Sequence, residues 1–225
     1  MLLASTMAVQ LYKYFPFLSS RYHKLLLTDE EGQYSITTPK SATIISEMIK
    51  QYFGHDNLII TDATSGIGGN VISFSSYFYH VNAIELNSER YQYLVNNMTL
   101  YNRENILCYN IGFEPLVHTI KQDVIFMDPP WGGKNYKDVE TMTIEMDDEK
   151  LEDICLRIIN ANICEMLILK LPLNYDMTEF NELSSKASVH VIMMDIDLPK
   201  MKIIYFCNGK GNTDIPLLKQ RHNKQ

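Results

Sequence analysis

From residue 57 onward, short apolar runs alternate with amphipathic stretches, and this alternation limits the folds open to the chain. The runs at 58–60, 81–86, 106–109, 124–127 and 166–169 have the length and branched, apolar content of buried strands. Between them, 70–78, 88–101 with Ser88 as its cap, a short piece near 115–120 and 147–160 are predicted helices, and 179–186 follows the fifth run. The acids opening 147–160 suit the positive end of a helix dipole. The ending differs, because 189–194 and 202–206 are strands with no room for a helix between them. Alternation of strand and helix gives a parallel sheet with helices on both faces, and two closing strands joined directly give an antiparallel hairpin. The expected fold is α/β, a mostly parallel seven-stranded sheet ending in that hairpin.

The first forty residues depart from this pattern. Leu11-Tyr12-Lys13-Tyr14-Phe15-Pro16-Phe17 is aromatic and broken by proline, and Asp29-Glu30-Glu31-Gly32 is a turn signal. Thr38 can cap a helix whose first position suits Pro39, with Ile44, Ile45, Met48 and Ile49 recurring at helical spacing. Residues 1–38 are therefore expected to form an arm over the substrate pocket of a domain spanning 39–225. No apolar stretch approaches the length of a membrane span, and 1–8 is too short for a secretory signal. Cys108, Cys155, Cys164 and Cys207 are scattered without metal-ligand spacing, which implies no metal site and a reduced, cytoplasmic setting. A net charge of -7 argues against a grip on a long nucleic-acid backbone and for recognition of a small piece, such as one end nucleotide. The basic tail at 219–224 is expected to be a solvated terminus, and the protein a monomer.

Asp62-Ala63-Thr64-Ser65-Gly66-Ile67-Gly68-Gly69-Asn70 follows the first strand and opens a helix. Glycines there let the backbone turn sharply and approach a ligand whose polar atoms meet free helix amides. The dinucleotide fingerprint needs a third glycine where this chain has Val71, and Asp62 sits poorly beside a pyrophosphate. S-adenosylmethionine has no phosphate, and an acid can help to hold its ammonium. Glu85 at the end of the second strand can accept from both ribose hydroxyls. Asp62, Thr64, Gly66, Gly68, Gly69, Glu85 and Asn110 form the candidate cofactor set. The sheet pattern suits a Rossmann-like methyltransferase better than a dinucleotide dehydrogenase. The plain structural alternatives are Asp62 as a turn cap, Glu85 as a solvated strand end and Asn110 as a satisfied turn asparagine.

Asp128-Pro129-Pro130-Trp131-Gly132-Gly133 follows the strand 124–127. Two prolines fix φ, remove two amide donors and hold the preceding residue extended. Acceptors without donors suit an exocyclic amine, and Trp131 offers a flat surface to the ring that carries it. The catalytic candidates are Asp128, Pro129 and Pro130, with Asp128 as orienter of the amine. The plain alternative is a proline-rich strand exit with Trp131 plugging the core. Lys13 and Lys134 are candidate phosphate contacts.

At these residues the chain resembles the trimethylguanosine synthases, RNA cap guanine-N2 methyltransferases. The likeness covers roughly 13–175. It lies in Lys13-Tyr14-Phe15, Ser20-Arg21-Tyr22, Asp29-Glu30-Glu31-Gly32-Gln33-Tyr34-Ser35-Ile36-Thr37-Thr38-Pro39, the glycine loop, Asp128-Pro129-Pro130-Trp131-Gly132-Gly133 with Tyr136, and Leu171-Pro172-Leu173-Asn174. The resemblance implies S-adenosylmethionine as cofactor and capped RNA as partner. It implies stacking of Trp131 on 7-methylguanine, Lys13 near cap phosphates, and Thr37 near the cofactor and the acceptor amine. A nuclear location would also fit it. The family commonly has Ser where this chain has Asp128 and an aromatic where it has Gln33, and one extra residue falls around Thr37 and Thr38. Two other readings stand beside this one: an amino-methyltransferase for adenine or guanine within ribosomal RNA, transfer RNA or DNA, and a non-catalytic binding subunit. The first needs a broad basic surface and the second a degraded site.

Overall fold

The computed structural model describes residues 11, 13–146 and 148–215, apart from the side chains of Lys134 and Asn135. The expectations for 1–8, for Asp147, for the tail at 219–224 and for the Lys134 side chain lie outside these residues. Helices α1 (Ser20–His23), α2 (Glu30–Ser35) and α3 (Pro39–Phe53) precede the first strand. Then follow β1 (Ile59–Asp62), α4 (Gly69–Tyr77), β2 (His80–Ile84), α5 (Ser88–Leu100), β3 (Ile106–Tyr109) and β4 (Val124–Met127). The chain continues through β5 (Glu145–Met146), β6 (Glu149–Lys150), α6 (Leu151–Asn160), β7 (Met166–Leu171), α7 (Thr178–Lys186), β8 (Ile192–Leu198) and β9 (Met201–Cys207). No helix among the described residues is long and apolar enough to cross a membrane.

The main sheet has seven strands in the order β3-β2-β1-β4-β7-β9-β8, parallel as far as β7 and antiparallel for the last two. Successive side chains of a strand point to opposite faces, so β4 supplies both cores. Val124 and Phe126 join the cluster packed by α3, α4 and α5, whereas Ile125 and Met127 join the cluster packed by α6 and α7. The chain runs outward from β1 through β2 to β3 and then returns to the other side of β1 with β4. That reversal leaves a crevice at the carboxyl ends of β1 and β4, where doubly wound sheets bind ligands.

Several elements differ from expectation for identifiable reasons. The cap of α5 is Asn87, whose side chain accepts from the amides of Glu89 and Arg90 at 3.0 Å each, so Ser88 is the first helical residue. The predicted helix near 115–120 is a series of turns. Helix α6 begins at Leu151 because β5 and β6 pair with each other just before it, and its acids are Glu152 and Asp153. The expected strand at 189–194 starts at Ile192 and runs on to Leu198. Pro199 and Lys200, the latter at φ 72°, make the two-residue turn into β9.

The arm is stitched to α5. Leu11, Phe15 and Leu26 are buried in the first cluster, and the Tyr101 hydroxyl donates to the Pro16 carbonyl at 2.6 Å. Asn97, fully buried on α5, accepts from the Leu27 amide at 2.9 Å and donates to the carbonyls of Leu27 and Ile67 at 3.0 Å. One side chain thus ties the arm to the glycine loop.

Candidate active site

Asp62, the last residue of β1, is fully buried. Its Oδ1 accepts from the Thr64 amide at 3.2 Å, as a turn cap would, but its Oδ2 is buried without a partner. A buried carboxylate oxygen without a donor is costly, and it invites one from a ligand. Burial pushes the Asp62 carboxyl up to about 8, and the neighbouring Asp128 and Glu85 carboxylates push the same way. Glu85, just past β2, accepts from the Gly66 amide through Oε2 and the Asn87 amide through Oε1, both at 2.8 Å. Each oxygen keeps a second lone pair, so the pattern leaves capacity for two hydroxyls.

The glycines divide their work. Gly66, at φ 53°, has open space where a Cβ would stand, which leaves its backbone accessible to a ligand. Gly68, at φ 100°, faces the Met98 methyl, which a Cβ would meet at 2.4 Å. Gly69 faces Ile36 and the Thr37 carbonyl, at 2.5 and 3.1 Å from a Cβ. Gly66 thus keeps open space beside it, while Gly68 and Gly69 let α5 and the arm close on the loop.

Thr64 connects this cleft to the diproline corner, because its hydroxyl oxygen accepts from the Asp128 amide at 2.6 Å. Asp128 is mostly buried, with its Oδ2 on the Lys170 ammonium at 2.5 Å. Burial raises the Asp128 carboxyl from its ordinary value, and Lys170 draws it back down. Pro129 is buried and Pro130 exposed. Trp131 donates from Nε1 to the Lys170 carbonyl at 3.3 Å and meets Tyr136 edge-on at 5.1 Å between centroids. Tyr34 of the arm lies edge-on to Tyr136 at 6.4 Å, and open space adjoins Gly132 and Gly133.

Thr37 is buried at the start of α4, where its hydroxyl accepts from the Asn70 amide group at 3.1 Å. The Asn70 Oδ1 beside it has no partner. The Asn110 side chain is engaged by the Ser88 hydroxyl and the carbonyls of Glu85 and Leu86. Lys13 is exposed in a turn of the arm, and none of the contacts assembling this corner involves it. Sequence reasoning missed Lys170, although a lone charge in the apolar run Met166–Leu171 at a strand's carboxyl end was a usable signal.

Comparison with known proteins identifies a family and a shared fold. The family model described as RNA cap guanine-N2 methyltransferase matches residues 57–213. Protein L320 of Acanthamoeba polyphaga mimivirus, itself uncharacterised, is 35% identical over 213 residues, covering 84% of this chain and 81% of its own. The trimethylguanosine synthase of Schizosaccharomyces pombe is 30% identical over 127 residues, which cover 53% of this chain and 52% of that protein. The match thus spans about half the length of that yeast relative. Among solved structures, the precorrin-6y C5,15-methyltransferase of Geobacter metallireducens shares the fold, with a TM-score of 0.56 at 15% identity over 81% of this chain and 93% of the other.

Proposed function

Because the chain belongs to the RNA cap guanine-N2 methyltransferase family, we propose that it transfers methyl from S-adenosylmethionine to the exocyclic N2 amine of a 7-methylguanosine cap, forming di- or trimethylguanosine ends. One observation carries the reading. Thr64 joins the Asp62 cleft to the Asp128 corner through hydrogen bonds of 3.2 and 2.6 Å.

The residues present suit the donor. The unpartnered Asp62 Oδ2 would take its ammonium, the spare lone pairs of Glu85 its ribose hydroxyls, and the open backbone at Gly66 its body. Thr64 would border the same molecule, and Asn110 would meet it by way of the turn it braces. When bound, S-adenosylmethionine supplies a methyl group on a positively charged sulfur.

The chain's own contribution is orientation. Asp128 and the Pro129 carbonyl would accept hydrogen bonds from the amine and draw its lone pair out of the ring plane. Pro129 and Pro130 present no competing amide donors. Holding the amine in line from about 3 Å contributes several kcal/mol. Trp131 would stack on the base, worth about 1–3 kcal/mol, with added attraction for a positively charged 7-methylated ring. The arm, 1–38, would form one wall of the pocket, with Lys13 toward the cap phosphates and Thr37 between cofactor and amine. The proton lost by the methylated amine can pass to water, so Asp128 need not accept it.

Trp131 is the sole tryptophan, so intrinsic emission reports on it alone. Titration with 7-methyl-GTP is expected to quench that emission saturably and at lower concentration than GTP. By calorimetry, W131A should bind the methylated nucleotide about 10- to 100-fold more weakly. Equal binding by parent and W131A would remove the proposed pocket.

A further inference from the structure

Strands β4 and β7 are parallel, with Met127 opposite Leu169, so Asp128, just past β4, stands beside Lys170, still within β7. The Lys170 side chain is 3% exposed and that of Asp128 14%. The ammonium donates to Asp128 Oδ2 at 2.5 Å and to the arm carbonyl of Ser35 at 2.9 Å, and it lies 5.3 Å from the centroid of the Trp131 ring. The Lys170 carbonyl also receives the Trp131 indole N–H at 3.3 Å. A lysine is almost never this buried unless paired. Here its partners belong to the acceptor motif, the arm and the base platform at once.

We propose that Lys170 is the positioning residue of the acceptor-amine site, fixing Asp128 as an ionised acceptor with Oδ1 free for the amine and tying the arm to the same corner at Ser35. The inference rests on the role given to Asp128 above. An amine with two N–H groups needs an acceptor opposite it, and a protonated carboxyl would present a donor instead. The groups facing Asp128 are Lys170 from β7 and the Asp62 carboxylate from the end of β1, with Glu85 beyond Asp62. Lys170 is the cation among them. Removing it leaves a buried carboxyl without its cation, and burial then favours the protonated form.

The test uses K170M, K170R and the double variant D128N/K170M, which removes both charges and keeps an acceptor oxygen. Without substrate, K170M is expected to gain a step in Trp131 emission between pH 5 and 8 beyond any shown by the parent, and D128N/K170M to lack it. K170R keeps the charge and should follow the parent. With cap nucleotide and donor, K170M turnover at pH 7 is expected to fall about 100-fold, the order expected for a misplacement of about 1 Å. It should recover toward pH 9, and D128N/K170M should exceed K170M severalfold at pH 7. A K170M protein with the parent's emission profile and pH–rate profile overturns the proposal, as does a double variant no better than the single one. If K170M fails to fold, the double variant should fold, having no unpaired buried charge; one equally unfolded overturns the proposal. A parent that methylates no cap nucleotide refutes the substrate reading alone, since the emission titration still decides the pair.

Discussion

Burial raises the Asp62 carboxyl to about 8 against an ordinary 3.8, which fixes the sign of its pH dependence. The folded protein binds more protons at this position than the unfolded chain between those values. Its effect on stability is absent below about 3.8, becomes increasingly unfavourable as pH rises toward 8, and is constant above. A cation seated at Oδ2 favours the ionised form, so its binding expels a proton within the same window. The dissociation constant for S-adenosylmethionine is accordingly expected to fall about tenfold per pH unit between roughly pH 6 and 7.5, where the donor's ammonium stays charged. Calorimetry across that range checks this, and Asp62→Asn should flatten the dependence. A pH-independent constant in the parent would contradict the assignment.

At this scale much of the site was legible in the sequence. Asp62, Glu85 and Asp128 each stand where a buried strand meets a turn, and strand ends are readable from the chain. Lys170 was not read from it, because its meaning depends on the parallel register of β4 with β7, which pairs residues some forty positions apart. Asn110 follows the plain alternative, a satisfied turn asparagine. It stands at a strand end, and its side chain braces the turn after β2.

Among the elements, Asn97 of α5 ties the arm to the glycine loop. Asn97→Ala would leave the Leu27 amide and the carbonyls of Leu27 and Ile67 without this partner. A loss of about 2 kcal/mol is expected, which lowers the melting temperature by roughly 5 °C for a protein of this size. Because the same side chain anchors Ile67 in the glycine loop, cofactor affinity should fall with it. An unchanged melting curve would show that the arm is fixed elsewhere. The main-sheet strands and the longer helices were legible from periodicity, and β3 and β4 match expectation to the residue, but 115–120 is turns and the stretch read as a turn at 29–32 opens α2, with Asp29 as its cap. Ends were not legible. Asn87 and Ser88 are both good caps, and only the geometry of the two amides chooses between them. The start of α6 depends on a hairpin, β5 with β6, whose four residues carry no strand pattern of their own.

For the molecule as a whole, strand order explains the location of the site. The chain reverses beside β1, so the carboxyl ends of β1, β2, β4 and β7 bring Asp62, Glu85, Asp128 and Lys170 to one edge, with arm residues Ser35 and Thr37 laid against it. The direction of alternation and the closing hairpin were both visible in the sequence. The docking of the arm was not, because Gly69 and Asn97 acquire their role only when Ile36 and Leu27 arrive from elsewhere in the chain. The central claim is that this edge delivers a methyl group to the amine of a cap guanine. Incubation with methyl-labelled S-adenosylmethionine and, separately, GTP, 7-methyl-GTP and an adenine-containing oligonucleotide tests it directly. Label on the 7-methylated nucleotide alone, located at N2, is the predicted result; label on the oligonucleotide, or equal label on GTP, would contradict it.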